Sequence, residues 1–207
     1  MDRRGEKVAG IVLAAGASTR MGRIKQLLQV GDETFIERVL GQVLKSQLDS
    51  VVLVLGYRAW EIQTVIAPLL VHPRLRIIEN RNYQEGISSS IAAGVSDVEH
   101  THDHAMIFLA DMPCIASDLI DRLLDRYLTS DMLIAAVQGE GRPAHPVIFS
   151  RKLYPELKRL RGDVGARSLL CKYSGSICLI EPEGDYDSLD IDTPEDYAGF
   201  QMRSRRP

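Results

Sequence analysis

The chain has 207 residues, of which 45% are hydrophobic, so it is long enough for one well-packed α/β domain. Its net charge of -3 argues against general nucleic-acid binding, which usually needs a strong basic excess. No apolar run reaches the ~20 residues that a membrane helix requires, and the run at 8–15 is too short for a secretory signal. We therefore expect a soluble, cytoplasmic protein without a membrane or nucleic-acid partner.

Short apolar runs alternate with helical patterns along the chain. The runs predicted to be strands are rich in Val, Ile and Leu and lie at 8–13, 51–55, 75–78, 105–109, 132–137, 146–149 and 176–180. Continuous runs of this kind are typical of strands buried on both faces. Amphipathic stretches separate them, and Thr34 and Glu37 have capping-box spacing at the start of one. The alternation predicts an α/β fold with a doubly wound, mostly parallel sheet flanked by helices.

A glycine-containing loop, residues 13–25, follows the first predicted strand directly. Gly16 and its small neighbours allow backbone N–H groups to approach a ligand closely. Arg20 and Lys25 add two positive charges to the same turn. Amide donors and cations together suit a polyphosphate, although an ordinary strand-to-helix turn with solvated basic residues would have the same composition.

Two common nucleotide motifs are excluded in this loop. A P-loop has four residues between its glycines and then Lys-Ser or Lys-Thr, whereas five residues separate Gly16 from Gly22. A dinucleotide fingerprint needs GxGxxG, and Ala14 stands where its first glycine would be. The loop is therefore a phosphate-loop candidate of a third kind.

Two acidic segments follow predicted strands. Asp111 closes the strand at 105–109, where the crevice of a doubly wound sheet binds ligands, although a lone carboxylate there could be a turn or cap residue. Asp190 and Asp192 alternate in an extended segment, so only one should face a site. Asp192 or Thr193 could also cap a helix that begins at the following proline.

Taken together, Leu13-Ala-Ala-Gly16, Arg20-Met-Gly22 and Lys25 resemble the signature of nucleotidyltransferases related to molybdenum cofactor guanylyl- and cytidylyltransferases. The same superfamily includes sugar-phosphate and methylerythritol cytidylyltransferases. The resemblance covers nearly the whole chain and implies a Rossmann-like nucleotidyltransferase fold. It implies one domain over 1–207, with a nucleotide-binding half at roughly 1–115, an acceptor-side half at 116–200 and a tail at 201–207.

The resemblance implies roles for the loop and the aspartates. The nucleotide-binding residues of the loop would be Leu13, Ala14, Ala15, Gly16, Arg20 and Lys25. Arg20, Lys25 and Asp111 would be catalytic, and Asp111 and Asp192 would hold Mg²⁺, with Asp190 either supporting them or having no part in the site. Two carboxylates completed by substrate phosphates and water are a normal ligand set for Mg²⁺.

The resemblance also implies a base site. The stretch Glu85-Gly-Ile-Ser-Ser-Ser90 is closely similar to one that lies against the base in cytidylyltransferase-like members. The base or ribose contacts would be Glu85, Gly86, Ser88, Ser89 and Ser90. Serines at a predicted helix start would equally serve as caps. This stretch and the double alanine of the loop favour CTP over GTP.

The acceptor side carries two further motifs. The segment at 141–149 resembles a Gly-His-Pro-Val motif, with Ala144 in place of the glycine, and makes His145 an acceptor contact or else a turn histidine bonded to backbone. The stretch at 162–167 matches the molybdenum cofactor cytidylyltransferase branch. Arg167 would bind an acceptor phosphate, since guanidinium groups recognise phosphate bidentately. Asp163 is predicted to cap the helix that follows it.

The remaining metal-type residues are interpreted as structural. His100, His102 and His104 invite a metal-site reading, but their polar surroundings predict a solvated loop, because zinc would need further ligands. The cysteines lack CxxC or metal-finger spacing and are expected to be buried or half-buried thiols: Cys114, Cys171 and Cys178.

These expectations converge on one reaction. The chain would transfer CMP from CTP to a phosphorylated acceptor, molybdopterin, releasing pyrophosphate with the aid of Mg²⁺. A guanylyltransferase or a sugar- or methylerythritol-phosphate cytidylyltransferase is the alternative within the superfamily. A non-catalytic accessory protein that delivers molybdenum cofactor to a molybdoenzyme is the alternative of another class. The joint presence of Arg20, Lys25, Asp111 and Asp192 favours an enzyme.

Overall fold

The computed structural model describes residues 3–18, 21–139, 141–182, 186, 191 and 193–204, with the backbone alone for the last two. The elements within these ranges, in chain order, are β1 Val8–Ala14, β2 Gln29–Val30, β3 Glu33–Thr34, α1 Phe35–Lys45, β4 Ser50–Leu55, α2 Ala59–Val65, β5 Leu75–Glu79, α3 Ile87–Val98, β6 His104–Leu109, α4 Ser117–Leu128, β7 Ile134–Gly139, β8 Arg142–Ser150, α5 Tyr154–Leu157, α6 Arg167–Lys172, β9 Ile177–Ile180 and α7 Pro194–Ser204. Residues 201–204, assigned to the tail from sequence, thus continue α7.

Seven strands form one sheet in the order β5-β4-β1-β6-β8-β7-β9. All run parallel except β8, which is antiparallel to both its neighbours, β6 and β7. The predicted mostly parallel, doubly wound sheet is therefore confirmed. The strand predicted at 146–149 begins four residues earlier, at Arg142. Pro143 and Pro146 hide this extension, because proline weakens the strand signal.

Helices cover both faces of the sheet. Side chains of α1, α2 and α4 pack on one face, and those of α3, α5 and α6 pack on the other. Neighbouring residues of a strand serve opposite faces, as Ile11 and Val12 of β1 do. A third apolar cluster joins the β2–β3 hairpin to α7, where Phe35 meets the rings of Tyr197 and Phe200 edge-on at 6.0 and 5.5 Å.

Two helices, α1 and α7, begin with reciprocal capping bonds. The predicted capping box of α1 is present, with Thr34 and Glu37 each bonded to the backbone of the other. Thr193 and Asp196 make the same reciprocal bonds at the start of α7. Within the described ranges, no helix is both long enough and apolar enough to cross a membrane.

The topology gives the sheet two unlike edges. The parallel strands β1, β4, β5, β6 and β7 all end at one of them, and the antiparallel β8 begins there. We call this the crevice edge, because ligands of open α/β sheets bind beyond the carboxyl ends of the strands. The opposite edge collects the amino ends of the parallel strands.

Candidate active site

The loop after β1 lies at the crevice edge and is held in shape by Ser18. Ser18 has a positive φ of 51°, and its Oγ accepts the backbone N–H of Lys25 at 3.1 Å. Apart from its chain neighbours, no atom of the described residues lies within 4 Å of the place where a β-carbon on Gly16 would stand, so this side of the loop is open with respect to them. Arg20 lies outside the described residues, and its role stays a prediction. Sequence reasoning overlooked Ser18, because a positive φ at a non-glycine residue leaves no pattern.

Lys25 and Asp111 meet at this edge. Leu13 of β1 and Leu109 of β6 are direct partners, so the segments that follow these strands emerge side by side. Lys25 Nζ lies 3.0 Å from Asp111 Oδ2, and the two side chains are only 13% and 21% exposed. A partly buried pair is screened from solvent less than a surface pair. The structure therefore brings two of the predicted catalytic residues into direct contact.

The carboxylate of Asp111 suits a hard divalent cation. Mg²⁺ takes one or two carboxylates and completes its shell with phosphates and water, so a single described carboxylate beside a phosphate loop fits its chemistry. The predicted partner, Asp192, and the neighbouring Asp190 lie outside the described residues. Among the residues that are described, no three His, Cys, Asp or Glu side chains converge into a metal cage.

The predicted base segment is fastened to β5 by Asn80. The Asn80 amide donates to Ser89 Oγ at 2.8 Å and to Ser90 Oγ at 3.0 Å. Its carbonyl oxygen accepts from Asn82 N–H at 3.0 Å. Asn80 thus sets the start of α3 against the crevice edge. Sequence reasoning gave it no role, although its position directly after a strand was the available signal.

The three serines of this segment have different environments. Ser88 and Ser90 are buried, so in this structure their hydroxyls do not reach the crevice surface. Ser89 is half-exposed and Glu85 is exposed. These two residues line a groove of about 470 Å³ that also includes Asn80 and Arg161. A ligand can therefore reach fewer side chains of this segment than the sequence predicts.

Gly56, at the end of β4, joins the loop to the base segment. A β-carbon there would lie 2.9 Å from the Ala15 carbonyl oxygen and 2.8 Å from Tyr83 Cβ. Tyr57 N–H donates to the same carbonyl at 3.1 Å. Only glycine permits this approach of three chain segments. The residue was not singled out from sequence, because nothing local distinguishes it from other glycines that follow strands.

Gly86 and Asp163 connect the two halves of the chain. Gly86 has a φ of +96°, and a β-carbon on it would lie 2.4 Å from the Gly162 carbonyl carbon. Asp163 Oδ1 accepts the backbone N–H of Ile87 at 3.3 Å. The prediction that Asp163 caps the next helix is therefore wrong. The turn at 162–165 folds back and caps α3, which precedes it by 76 residues.

His145, a predicted acceptor contact, lies near Asp111. His145 Nδ1 is 3.3 Å from the Ile107 carbonyl oxygen, so Nδ1 carries the proton that it donates. Burial lowers the pKa of His145, and the hydrogen bond to Ile107 and the charge of Asp111 only partly oppose this. In the neutral ring, Nε2 is an acceptor. The Tyr186 hydroxyl donates to the His145 carbonyl at 2.5 Å and fixes the backbone here.

The other acceptor-side residues lie further along the chain. Ala144 is half-exposed and precedes His145 in β8. Arg167 is exposed and begins α6, as the sequence predicts. It follows Gly165, whose β-carbon position faces Ile87 of α3 at 3.4 Å. The structure thus places Arg167 on the same face as the base segment, without a contact to Asp111.

The histidine cluster belongs to the opposite edge. His100 is exposed, as predicted, but His102 and His104 are buried, so the solvated-loop prediction is wrong for these two. His102 Nε2 pairs with Ser50 Oγ at 2.8 Å. His104 lies between Glu6 and Tyr127, with ring nitrogens 2.5 and 3.0 Å from their oxygens. Alternation along the first residues of β6 turns His104 inward, which a count of polar residues does not reveal.

The cysteines are free thiols. Cys114 and Cys178 are half-buried, as expected. Cys171 is exposed, which corrects the prediction, because the last turn of α6 faces solvent at that position.

An open glycine-containing loop, a lysine–aspartate pair and a histidine lie at the crevice edge of a doubly wound α/β protein. The family is shown by a model described as the MobA-like NTP transferase domain, which matches residues 10–176. The chain belongs to this family of nucleotidyltransferases.

Three curated relatives differ in the activities their names give. A protein named nicotine blue oxidoreductase, from Paenarthrobacter nicotinovorans, is 32% identical over 91% of this chain and 93% of its own. The purine catabolism protein PucB of Bacillus subtilis is 31% identical over 94% of this chain and 96% of its own. The molybdenum cofactor cytidylyltransferase of Escherichia coli is 28% identical over 93% of this chain and 95% of its own. Overall identity therefore does not select one substrate.

A solved structure with the same fold contains a metal. It is the Rv0371c protein of Mycobacterium tuberculosis in complex with manganese, which is 26% identical, has a TM-score of 0.78 and covers 95% of this chain and 98% of its own. A protein similar to this chain thus binds manganese.

Proposed function

We propose that this protein transfers CMP from CTP to molybdopterin and releases pyrophosphate, with Mg²⁺ as its cation. The observation that carries the proposal is the 3.0 Å pair between Lys25 Nζ and Asp111 Oδ2. It puts a cation suited to phosphate and a carboxylate suited to a metal at one point of the crevice edge. A cytoplasmic location and contact with a receiving molybdoenzyme belong to the same proposal.

The reaction needs no nucleophile from the protein. A phosphate oxygen of the acceptor attacks the α-phosphorus of CTP, the bond from that phosphorus to the bridging oxygen breaks, and pyrophosphate leaves with the electron pair. Amides around Gly16, together with Arg20 and Lys25, would neutralise the charge that develops on the pyrophosphate. Asp111 and Asp192 would hold the cation, which when bound supplies further neutralisation of the triphosphate.

Substrate identity rests on the flanking segments. Glu85 and Ser89 have the exposure needed for base or ribose contact. The neutral His145 and the exposed Arg167 are proposed to contact the acceptor, with Nε2 of His145 accepting a hydrogen bond. CTP is favoured over GTP by the resemblance of the stretch at 85–90 and by the name of the Escherichia coli relative.

An oxidoreductase is the second candidate, because the relative with that name is 32% identical over nearly the full length. The loop after β1 lacks the GxGxxG pattern of dinucleotide-binding folds, which favours the transferase.

Pyrophosphate release tests the proposal. The purified protein would be supplied with Mg²⁺ and each of CTP, GTP, ATP and UTP, with and without molybdopterin. Release that requires both CTP and molybdopterin is the expected result. Release with GTP instead would identify a guanylyltransferase, and molybdopterin binding without release would identify the accessory protein. NADPH oxidation without any pyrophosphate release would identify an oxidoreductase.

A further inference from the structure

We infer that Lys25 blocks the metal-binding carboxylate until a nucleotide arrives, so that triphosphate and divalent cation bind together. This rests on the proposed function, since it concerns the same site. The starting observation is that Lys25 Nζ lies 3.0 Å from Asp111 Oδ2. The ammonium therefore occupies one of the positions from which a cation would bind that carboxylate.

Electrostatic repulsion prevents the Lys25 ammonium and a divalent cation from binding Asp111 at the same time. A divalent cation on Asp111 would be a close neighbour of the ammonium, and like charges at such distances repel each other strongly. The pair is largely shielded, with side chains 13% and 21% exposed, so water screens this repulsion poorly. A cation can therefore bind Asp111 well only after the head of Lys25 has moved.

The loop geometry allows that movement. The backbone N–H of Lys25 is fixed by Ser18 Oγ at 3.1 Å, so the start of the side chain stays in place. The four-carbon stem of lysine is flexible, and its head can turn from one anion to another. The open space above Gly16 lies in the same loop. A triphosphate there would offer Lys25 several negative oxygens in place of the Asp111 carboxylate.

The exchange couples the two ligands. Nucleotide draws Lys25 away and exposes Asp111 to the cation, and by linkage the cation strengthens nucleotide binding by the same factor. The free protein consequently holds no tightly bound divalent cation, and the site does not fill before its substrate is present.

Mn²⁺ binding to the nucleotide-free protein tests this inference, with free Mn²⁺ measured by its electron paramagnetic resonance signal. Lys25→Gln removes the ammonium and should tighten Mn²⁺ binding by roughly tenfold, within the usual range for coupled sites. Lys25→Arg keeps the charge and should bind Mn²⁺ as weakly as the wild type. Lys172→Gln is the matched control, because Lys172 makes an ion pair of 2.7 Å with Glu156 on α5.

Three results would overturn the inference: unchanged Mn²⁺ affinity in Lys25→Gln, an equal gain in Lys172→Gln, or retention of the gain when Asp111→Asn is added. If Lys25→Gln does not fold, Lys25→Met keeps most of the stem and is measured in the same way. The proposed function fails separately, through an absence of pyrophosphate release by the wild type. A gain in Mn²⁺ affinity without that release would leave the blocking role standing.

Discussion

The two edges of the sheet are both rich in titratable side chains, yet they use them differently. At the opposite edge, His104 is bonded through both ring nitrogens, to Glu6 and Tyr127. Arg3 adds bonds to the backbone carbonyls of Tyr127 and Ser130, at 3.0 and 2.7 Å. At the crevice edge, one lysine meets one carboxylate beside an open loop. Polar side chains whose hydrogen bonds all go to other protein groups stabilise the fold, whereas polar side chains beside open space can bind a ligand.

The comparison teaches why histidine counts mislead. The opposite edge holds His102 and His104, which a motif search would select first, and both are bonded to protein groups in the interior. The crevice edge holds His145 and the loop at 13–25, which lies within the range that the family model matches. Substitutions at the two edges should therefore separate activity from stability.

The largest effect is expected at Asp111. Asp111→Asn removes the charge that the cation needs, and pyrophosphate release should fall at least ~100-fold, as for loss of a key electrostatic group. Asp32→Asn is the matched control, because Asp32 is exposed in the turn of the β2–β3 hairpin. Equal activity in the two variants would remove Asp111 from the proposed site.

Two glycines of the crevice edge should respond in opposite ways. Gly56→Ala forces a β-carbon against Ala15 and Tyr83 and should cost about 1–3 kcal/mol of unfolding free energy, as overpacking does. The added methyl of Gly16→Ala lies within 4 Å of none of the described residues beyond its chain neighbours, so stability should hold while the KM for the nucleotide rises. Urea unfolding and initial rates measure both variants. A stable Gly56→Ala protein would contradict the close approach described here.

At the opposite edge, loss of one hydroxyl should lower stability alone. Tyr127→Phe leaves His104 Nδ1 without its buried partner and should cost about 1–3 kcal/mol. The kcat should not change, because the residue is remote from the crevice. Tyr173→Phe, which removes a hydroxyl bonded to Glu156 near the surface, should stay within about 0.5 kcal/mol. A fall in kcat for Tyr127→Phe would show that the opposite edge also affects activity.

The smallest effect concerns pH. Burial lowers the pKa of His102 and His104 below their ordinary 6.5, so the folded state favours the neutral rings. The unfolded chain then binds more protons, and stability should fall as pH drops below about 6.5. Urea unfolding between pH 7.5 and 5.5 measures the slope. His102→Asn should flatten it, whereas His100→Gln, at an exposed position, should not.

Much of the fold could be predicted from the sequence, because apolar runs and caps are local signals. The capping box at Thr34 and the strands around β1 and β6 are examples. The antiparallel β8 was seen only in part, since Pro143 and Pro146 interrupt its pattern. Hydrogen bonds between distant segments, such as Asp163 to Ile87, have no sequence signal at all.

The site was predicted unevenly for the same reason. Lys25 and Asp111 were identified through motifs, but their direct contact depends on the pairing of β1 with β6. Ser18, Gly56 and Asn80 were missed, because they act by shaping backbone rather than by carrying a motif. The inward position of Ser88 and Ser90 follows from the rotation of α3 against the sheet, which only the packed structure defines.

The cap on α3 limits how the chain could be cut into two fragments that fold independently. The first half lacks its own cap for this helix, since Asp163 supplies it, and the turn at 162–165 fills the space against Gly86. Strand β8 is likewise inserted beside β6, so a cut near residue 115 would leave an open strand edge on the first fragment. The two halves would then have to be co-expressed and reassembled, and neither could be exchanged alone for its counterpart in another protein.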